Sequence, residues 1–420
     1  MDKQPLINND AIVVGVLFVI LAFVFSTASS KKKSWAKFYD VVPPILLCYF
    51  LPALLNTFNI ISGEKSQLYP VATRYFLPAS LVLLTIGVDI KSLKKLGGKA
   101  LIMFFAASFG VMIGGPIVVF IAGKIYPPVL HYNGEEIWRG LATIAGSWIG
   151  GGANQAAMLE VFGASKSLFA QMIAIDVIVS YLWMGLLLYG CRYNDRINRW
   201  IGADNTSIKV LEKKMEEIDA STEKIHTGTK EWIILLGIAF GLTGLSHFLA
   251  DNIAQFFSTH YPGSSKYSLT SVFFWLVSIA TLAGLGLSFT KARNVQRYGA
   301  SDMGSLFLYF LVACIGMNMN LKALLDNPPL FVVGALWIII HITIMMVVAK
   351  AIKAPYFFIA VGSQANIGGP ASAPVVAAAF NKYLAPVGVI LAVLGYAVGT
   401  YAAYICGLMM QYVSNMIQQQ

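Results

Sequence analysis

The chain has 420 residues, 57% of them hydrophobic and only 12% charged, with a formal net charge of +10. Soluble domains carry about 25% charged residues, so this composition excludes a solvated enzyme, a disordered chain and a secreted disulfide scaffold. It predicts an integral membrane protein with many spans. The bases lie in short loops between apolar runs, which is the footprint of membrane orientation and not of nucleic-acid binding.

The first apolar run, residues 10–28, is preceded by Lys3 and followed by Lys31, Lys32, Lys33 and Lys37. A secretory signal carries its charge on the other side. The pattern predicts an uncleaved span with its N-terminus outside. Further uninterrupted runs follow at about 40–60, 70–90, 99–124, 167–190, 231–257, 268–290, 301–319, 329–350 and 383–411. Cys48, Cys191, Cys314 and Cys406 sit in or beside these runs. They share no metal-ligand spacing and read as buried small hydrophobes.

Two more apolar segments, about 138–163 and 356–380, are interrupted. One holds Gly146-Ser147-Trp148-Ile149-Gly150-Gly151-Gly152-Ala153-Asn154-Gln155. The other holds Gly362-Ser363-Gln364-Ala365-Asn366-Ile367-Gly368-Gly369-Pro370-Ala371-Ser372. Three glycines, or Gly-Gly-Pro, break a helix. In lipid such a break survives only where protein or a water-filled cavity covers the freed backbone groups. The shared Gly-Ser and Ile-Gly-Gly suggest duplication. So do Ile86-Gly87-Val88-Asp89-Ile90 and Ile315-Gly316-Met317-Asn318-Met319, each closing the third run of its half. The expected organisation is an N-terminal repeat (1–190), a linker (191–230) and a C-terminal repeat (231–420).

Charge decides the parity. If both broken segments re-enter as hairpins, each half has five spans and the halves are inverted. With the N-terminus outside, 22 of the 30 Lys and Arg then fall on the inner face. If both segments cross, the basic linker falls outside, against the positive-inside bias. The expected fold is therefore all-α and polytopic, with two inverted repeats of about five spans plus one re-entrant or broken hairpin each. The linker is expected in the cytoplasm. Its Ile208, Leu211, Met215 and Ile218 predict a short amphipathic helix.

Paired breaks bring helix N-termini, free carbonyls and neutral side chains to mid-membrane. Ser147, Asn154, Gln155, Ser363, Gln364, Asn366 and Ser372 can bind a carboxylate or a desolvated Na⁺ without adding net charge. Asp176 falls about 15 Å into its span, where a lone carboxylate is a functional candidate by default. It reads as a Na⁺ ligand, a proton carrier, or a structural carboxylate capped by Ser, Tyr181 or an amide. His341 is a proton relay or a packing residue. His247 and Asp251, four apart, are placed to pair. Arg74 is placed to snorkel, and Asp89 and Asn318 to cap helices. Pro43, Pro44, Pro52 and Pro78 are candidate kinks.

The two glycine-rich hairpins resemble those of the YjcL-like bacterial membrane family, which looks like a branch of the cation:proton antiporter and anion transporter superfamily. The sodium:glutamate and 2-hydroxycarboxylate symporters there carry comparable re-entrant hairpins. The resemblance implies a mobile core domain, a scaffold domain that often dimerises, and a bacterial cytoplasmic membrane setting. It also implies Na⁺-coupled uptake, with the hairpin glycines (Gly150, Gly151, Gly152, Gly368, Gly369) and Ser147, Asn154, Gln155, Asn366 and Ser372 at the substrate or the ion. Three departures stand out. Pro370 replaces the third glycine, no intramembrane Arg stands beside the hairpins to clamp a substrate carboxylate, and Asp176 follows Ile175 where the antiporters carry an acidic pair.

The expectation is an ion-coupled transporter of a small anionic organic solute. Na⁺ coordinated among Asn154, Asp176, Asn366 and Ser372 is the preferred coupling ion, and H⁺ through Asp176 is the runner-up. A cation/proton antiporter using Asp176 is the alternative. No cofactor is expected, and no metalloprotease, aspartyl, serine-nucleophile or nucleotide-binding motif is present.

Overall fold

The structure, a computed structural model, describes residues 5–39, 42, 44–88, 96–204, 206–208, 210–212, 228–267, 269–319, 328–381 and 384–419. Pro43, Asp89, Met215 and Ile218 lie outside these residues. The protein is a polytopic all-α membrane protein. Among the described residues seven helices are long and apolar enough to cross a bilayer, or up to nine if each bent pair counts as one span.

The N-terminal half contributes α1 (Asp10–Ala28), a short α2 (Lys33–Tyr39), α3 (Pro44–Thr57), α4 (Leu68–Ile86), α5 (Gly98–Ile125), α6 (Ile137–Phe162) and α7 (Lys166–Cys191). After a short α8 (Asn194–Ile201), the C-terminal half contributes α9 (Thr229–His260), α10 (Val272–Ser288) and α11 (Ala300–Gly316). It continues with α12 (Pro329–Ala351), α13 (Tyr356–Ile367), α14 (Gly369–Phe380) and α15 (Ala385–Gln418). A two-residue ribbon pairs His131–Tyr132 with Glu135–Glu136 before α6.

Three expected runs form helices shorter than a full span. α3 has 14 residues and ends at Thr57 before a turn with Asn59 at φ 57°, and α10 and α11 have 17 each. α10 starts late because Ser271 caps it, accepting from the Phe274 amide. In α4, residues Ala72–Phe76 wind as a π-turn ahead of Pro78. Pro78 has no N–H for the Arg74 carbonyl four residues back. His247 of α9 donates to that carbonyl instead, at 2.8 Å. The expected His247–Asp251 pair is therefore corrected, because the proline created a better acceptor. Arg74 is exposed, and Asn318 caps α11 by donating to the Cys314 carbonyl at 2.9 Å.

Both broken segments fold back on themselves. In an unbroken helix Arg139 and Phe162 would stand about 35 Å apart. Arg139 Nη1 instead donates to the Phe162 carbonyl at 2.6 Å, and Trp138 packs edge-on against Phe162 at 5.4 Å. The turn is at Gly151, whose φ of 74° and ψ of −175° suit glycine alone. The second hairpin is α13 and α14. Phe380 packs at 5.9 Å from Tyr356 and 5.3 Å from Phe357, and Gly369 turns the chain at φ 61°. Each 12-residue limb there is about 18 Å long, too short to cross a hydrocarbon core of about 30 Å.

The hairpins enter from opposite ends of α7. The first lies just before Lys166, where α7 starts, while Tyr356 at the foot of the second donates to the Leu187 carbonyl near its end. Around them α5, α12 and α15 pack closely. Gly110 and Gly114 of α5 make room for His341 and Trp337 of α12. His341 Nδ1 then donates to the Ala107 carbonyl at 3.1 Å and Trp337 Nε1 to the Val111 carbonyl at 2.9 Å. A second group of helices packs among itself: α1 and α3 with α11, α4 with α10 and α11, and α9 with α4 and α10.

Candidate functional site: a cavity at two broken hairpins

The two breaks converge on α15. An added Cβ on Gly395 would lie 2.9 Å from the Ile149 carbonyl of the first hairpin and 3.7 Å from the Ala365 carbonyl of the second. One turn on, Gly399 meets the Cα of Gly150 so closely that an added Cβ would lie 2.4 Å from it. Only glycine on both sides allows this approach.

Beside this junction is a cavity of about 390 Å³, between the hairpins and α7 on one side and α3 and α11 on the other. Of the residues expected from sequence, Ser147, Gly151, Gly152, Gln155, Asp176, Gln364, Gly368, Gly369 and Ser372 line it. Gly150, Asn154, Ser363 and Asn366 lie behind the wall.

The two asparagines are pinning groups in this structure. Asn154 Nδ2 donates to the Gly150 carbonyl at 2.8 Å and to the Tyr396 carbonyl of α15 at 3.3 Å, and its Oδ1 accepts from the Thr400 hydroxyl. Asn366 Nδ2 donates to the Gly362 carbonyl at 2.9 Å and to the Phe104 carbonyl of α5 at 3.2 Å, and its Oδ1 accepts from Ser108 at 2.7 Å. Both asparagines are fully buried. Asn154 reaches back across the break and Asn366 bonds within its own limb, and each clamps its hairpin to a neighbouring helix, with the hydroxyl four residues after the accepting carbonyl. Ser363 belongs to another buried set. It accepts from Trp183 Nε1 at 2.8 Å and donates to His341 Nε2 at 2.8 Å. With the bond to Ala107, both ring nitrogens of His341 are hydrogen-bonded inside the core.

Asp176 is the acidic group of the site. Its Oδ2 accepts from Ser147 at 2.6 Å and Gln155 at 3.1 Å, and its Oδ1 from Trp148 Nε1 at 2.7 Å and Ser180 at 3.1 Å. Four neutral donors match the lone pairs of an ionised carboxylate. Three belong to the first hairpin, so Asp176 ties α7 to that tip. Tyr181, expected as a cap, lines the cavity and makes no hydrogen bond to Asp176.

Sequence reasoning missed Tyr49 and Trp148. Tyr49 lines the cavity from α3, is 3% exposed, and its hydroxyl has no partner among the described residues. Gln364 donates through Nε2 to Ser372 at 2.8 Å, while its Oε1 is buried without a partner among the same residues. Nothing in an apolar run marks one of 19 tyrosines as special. Ser180 was readable, since it stands one helical turn from Asp176.

At the foot of the second hairpin the linker makes several contacts. The Tyr356 amide donates to Asn198 Oδ1 at 2.8 Å, Asp204 donates through its amide to the Lys353 carbonyl at 3.1 Å, and Asn381 donates to Glu212 at 3.1 Å. Lys99 pairs with Asp204 at 3.1 Å. Bonds from Thr206, then Lys99, hold the Asp204 carboxyl down to about 2. Leu211 is buried, as the amphipathic pattern expects.

These features define the class: a multi-pass helical membrane protein whose polar centre is assembled from two folded-back hairpins. The chain belongs to the family described as "Protein of unknown function (DUF819)", which matches residues 15–413. It is 22% identical over 415 residues to the "Uncharacterized membrane protein YjcL" of Bacillus subtilis (strain 168), covering 96% of this chain and 98% of that protein. The YjcL-like resemblance and the multi-pass membrane character are thereby borne out.

Proposed function

We propose that this protein is an ion-coupled secondary transporter of a small anionic organic solute, working by alternating access. The carrying observation is the cavity where two opposed hairpin breaks converge. In lipid, non-helical backbone is tolerated where it lines such a space, and discontinuous helices meeting from opposite sides are a recurrent transporter device. Its volume falls in the range of small-molecule sites, roughly 300–1,000 Å³, and exceeds what a bare cation requires.

On this reading α1 to α7 and α9 to α15 are inverted repeats. The hairpins, α5, α7, α12 and α15 form the moving core, and the remaining long helices form the scaffold, the surface through which two copies would pair. The membrane is the bacterial cytoplasmic one. Lys99, Arg192, Arg196, Arg199, Lys350 and Lys353 gather near the foot of the second hairpin, which supports a cytoplasmic position for that end. Na⁺ is the preferred coupling ion, because the polar groups of the wall other than Asp176 are neutral among the described residues. Asp176 and Ser372 reach the cavity, while Asn154 and Asn366 hold the wall in shape.

A second reading is a cation/proton antiporter without an organic substrate. It is favoured by one fact: among the described residues Asp176 is the only acidic or basic side chain lining the cavity. Reconstituted vesicles separate the two. An inward Na⁺ or H⁺ gradient should drive uptake of a labelled carboxylate, and Asp176→Asn should abolish it. Cation–proton exchange that no organic solute accelerates or inhibits would favour the antiporter instead.

A further inference from the structure

We infer that the solute carries an amino group held at the Asp176 wall, so that the site takes amino acids or short peptides in preference to simple carboxylates. This rests on the transport function proposed above and narrows its substrate.

The first argument is charge. Four neutral donors stabilise the Asp176 carboxylate and supply no positive charge, and among the described residues no Lys, Arg or His lines the cavity. A buried charge without a counter-charge is costly. A solute with an ammonium group brings that counter-charge, whereas a plain carboxylate adds a second negative charge. Two of the four donors are hydroxyls, Ser147 and Ser180, and hydroxyls rotate. Turning either one frees a carboxylate lone pair, and the serine oxygen can then accept from the incoming N–H.

The second argument is unmet hydrogen bonding. Tyr49 and Gln364 line the same cavity, and Tyr49 Oη and Gln364 Oε1 are buried with no partner among the described residues. Both oxygens accept from N–H groups, and leaving them unmet is expensive. The Tyr49 hydroxyl can also donate to a carboxylate, but the Gln364 oxygen only accepts, and a bare dicarboxylate has no N–H to offer it. Rings of Phe25, Tyr49, Tyr181, Tyr309 and Tyr396 complete the wall, and aromatic faces attract ammonium groups.

The third argument is adjacency. Gly152, at the start of the limb after the break, lines the cavity beside Gln155 and Asp176. The first N–H groups of a helix lack intrahelical partners and favour carboxylates. An α-amino acid carries its carboxylate and ammonium on one carbon, and this wall presents their two complements side by side. Pro370 removes one such N–H from the other hairpin, which leaves the first hairpin as the better carboxylate end.

The test compares matched probes on the purified full-length protein, by thermal shift and Trp fluorescence in Na⁺. Glutamate and the dipeptide Ala-Glu are set against glutarate and their N-acetyl derivatives. The amines should bind at least about tenfold tighter, as expected for a charge-assisted bond. Asp176→Asn should erase that preference. Tyr49→Phe should leave the melting temperature of the empty protein unchanged, since its hydroxyl has no bond to lose, and should weaken amine binding several-fold. If glutarate or the N-acetyl forms bind within threefold of the amines, the amino-group assignment falls and the transporter of an anion stands. If none of these probes binds while Na⁺ alone shifts the protein, both readings fall together and the antiporter is favoured. The probe comparison uses the native chain, so it decides even if Asp176→Asn fails to fold.

Discussion

The two hairpins solve the same problem with different chemistry. Both turn on a glycine of positive φ, at Gly151 and Gly369, and both use an asparagine to clamp a limb. The clamp falls after the break in the first hairpin and before it in the second. The first hairpin is backbone against backbone at its tip, with Gly150 against Gly399. At the tip of the second, Gly368 is surrounded by the side chains of Ser372 and Gln364. The first is therefore a rigid seat fixed to α15 and, through Asp176, to α7. The second has a softer tip and a foot held by the inter-half linker. If one hairpin moves while the other holds the solute, this contrast nominates the second as the mover.

The largest expected effect comes from placing one methyl group at each tip. In Gly150→Ala the new Cβ would sit 2.2 Å from Asn154 Nδ2 and 2.7 Å from the Gly399 Cα, and neither hairpin nor α15 can yield cheaply. Loss of about 3 kcal/mol or more, or failure to fold, is expected for such overpacking. Gly368→Ala would meet Ser372 Oγ at 1.8 Å and Gln364 Nε2 at 2.2 Å, both ends of side chains that can rotate. It should fold, with a melting temperature closer to the parent and with altered binding at the cavity. Equal losses in the two variants would erase the contrast between a rigid and a soft tip.

Next come the clamps. Asn154→Ala orphans the Thr400 hydroxyl, whose remaining neighbour is Thr281 at 3.3 Å, so a cost of about 1–3 kcal/mol is expected for unmet buried groups. Asn366→Ala orphans Ser108, but that hydroxyl already reaches the Phe104 carbonyl of its own helix at 3.2 Å. Its loss should be nearer the lower end. Both variants should still insert in the membrane, and denaturation in detergent ranks them. If the order is reversed, the second hairpin is the more tightly held.

How much of this was legible follows from which interactions are local. The doubled Ile-Gly-Gly with Gly or Pro after it announced two breaks, because helix breaking is a property of the residues themselves. Asp176 announced itself by its depth in an apolar run. The partners of the asparagines were not legible. Asn154 meets Tyr396 and Thr400 more than 240 residues away, and an amide in an apolar segment advertises a need without naming what meets it. His247 shows the same limit from the other side. Asp251 was the obvious neighbour along the helix, yet Pro78 on α4 left a carbonyl that the imidazole takes. Tyr49 was invisible because its importance lies in what its hydroxyl lacks.

The smallest effect concerns the feet. The first foot is held by Arg139 on the Phe162 carbonyl, a bond with no carboxylate in it, and Glu136 lies 3.7 Å from the same guanidinium. The second leans on Asp204, whose carboxyl lies near 2 against the ordinary 3.8. A carboxyl held low contributes stability above its ordinary value and loses it as the pH falls through the folded one. Protection of the Asp204 amide, which donates to the Lys353 carbonyl, should therefore be constant above pH 4 and should fall between pH 4 and pH 2, more than protection at the first foot. The group is exposed, so the change should be slight and visible only in local hydrogen exchange. Asp204→Asn should flatten the pH dependence at the second foot. If both feet loosen together in the parent, the acid response is global and the linker has no separate hold on the second hairpin.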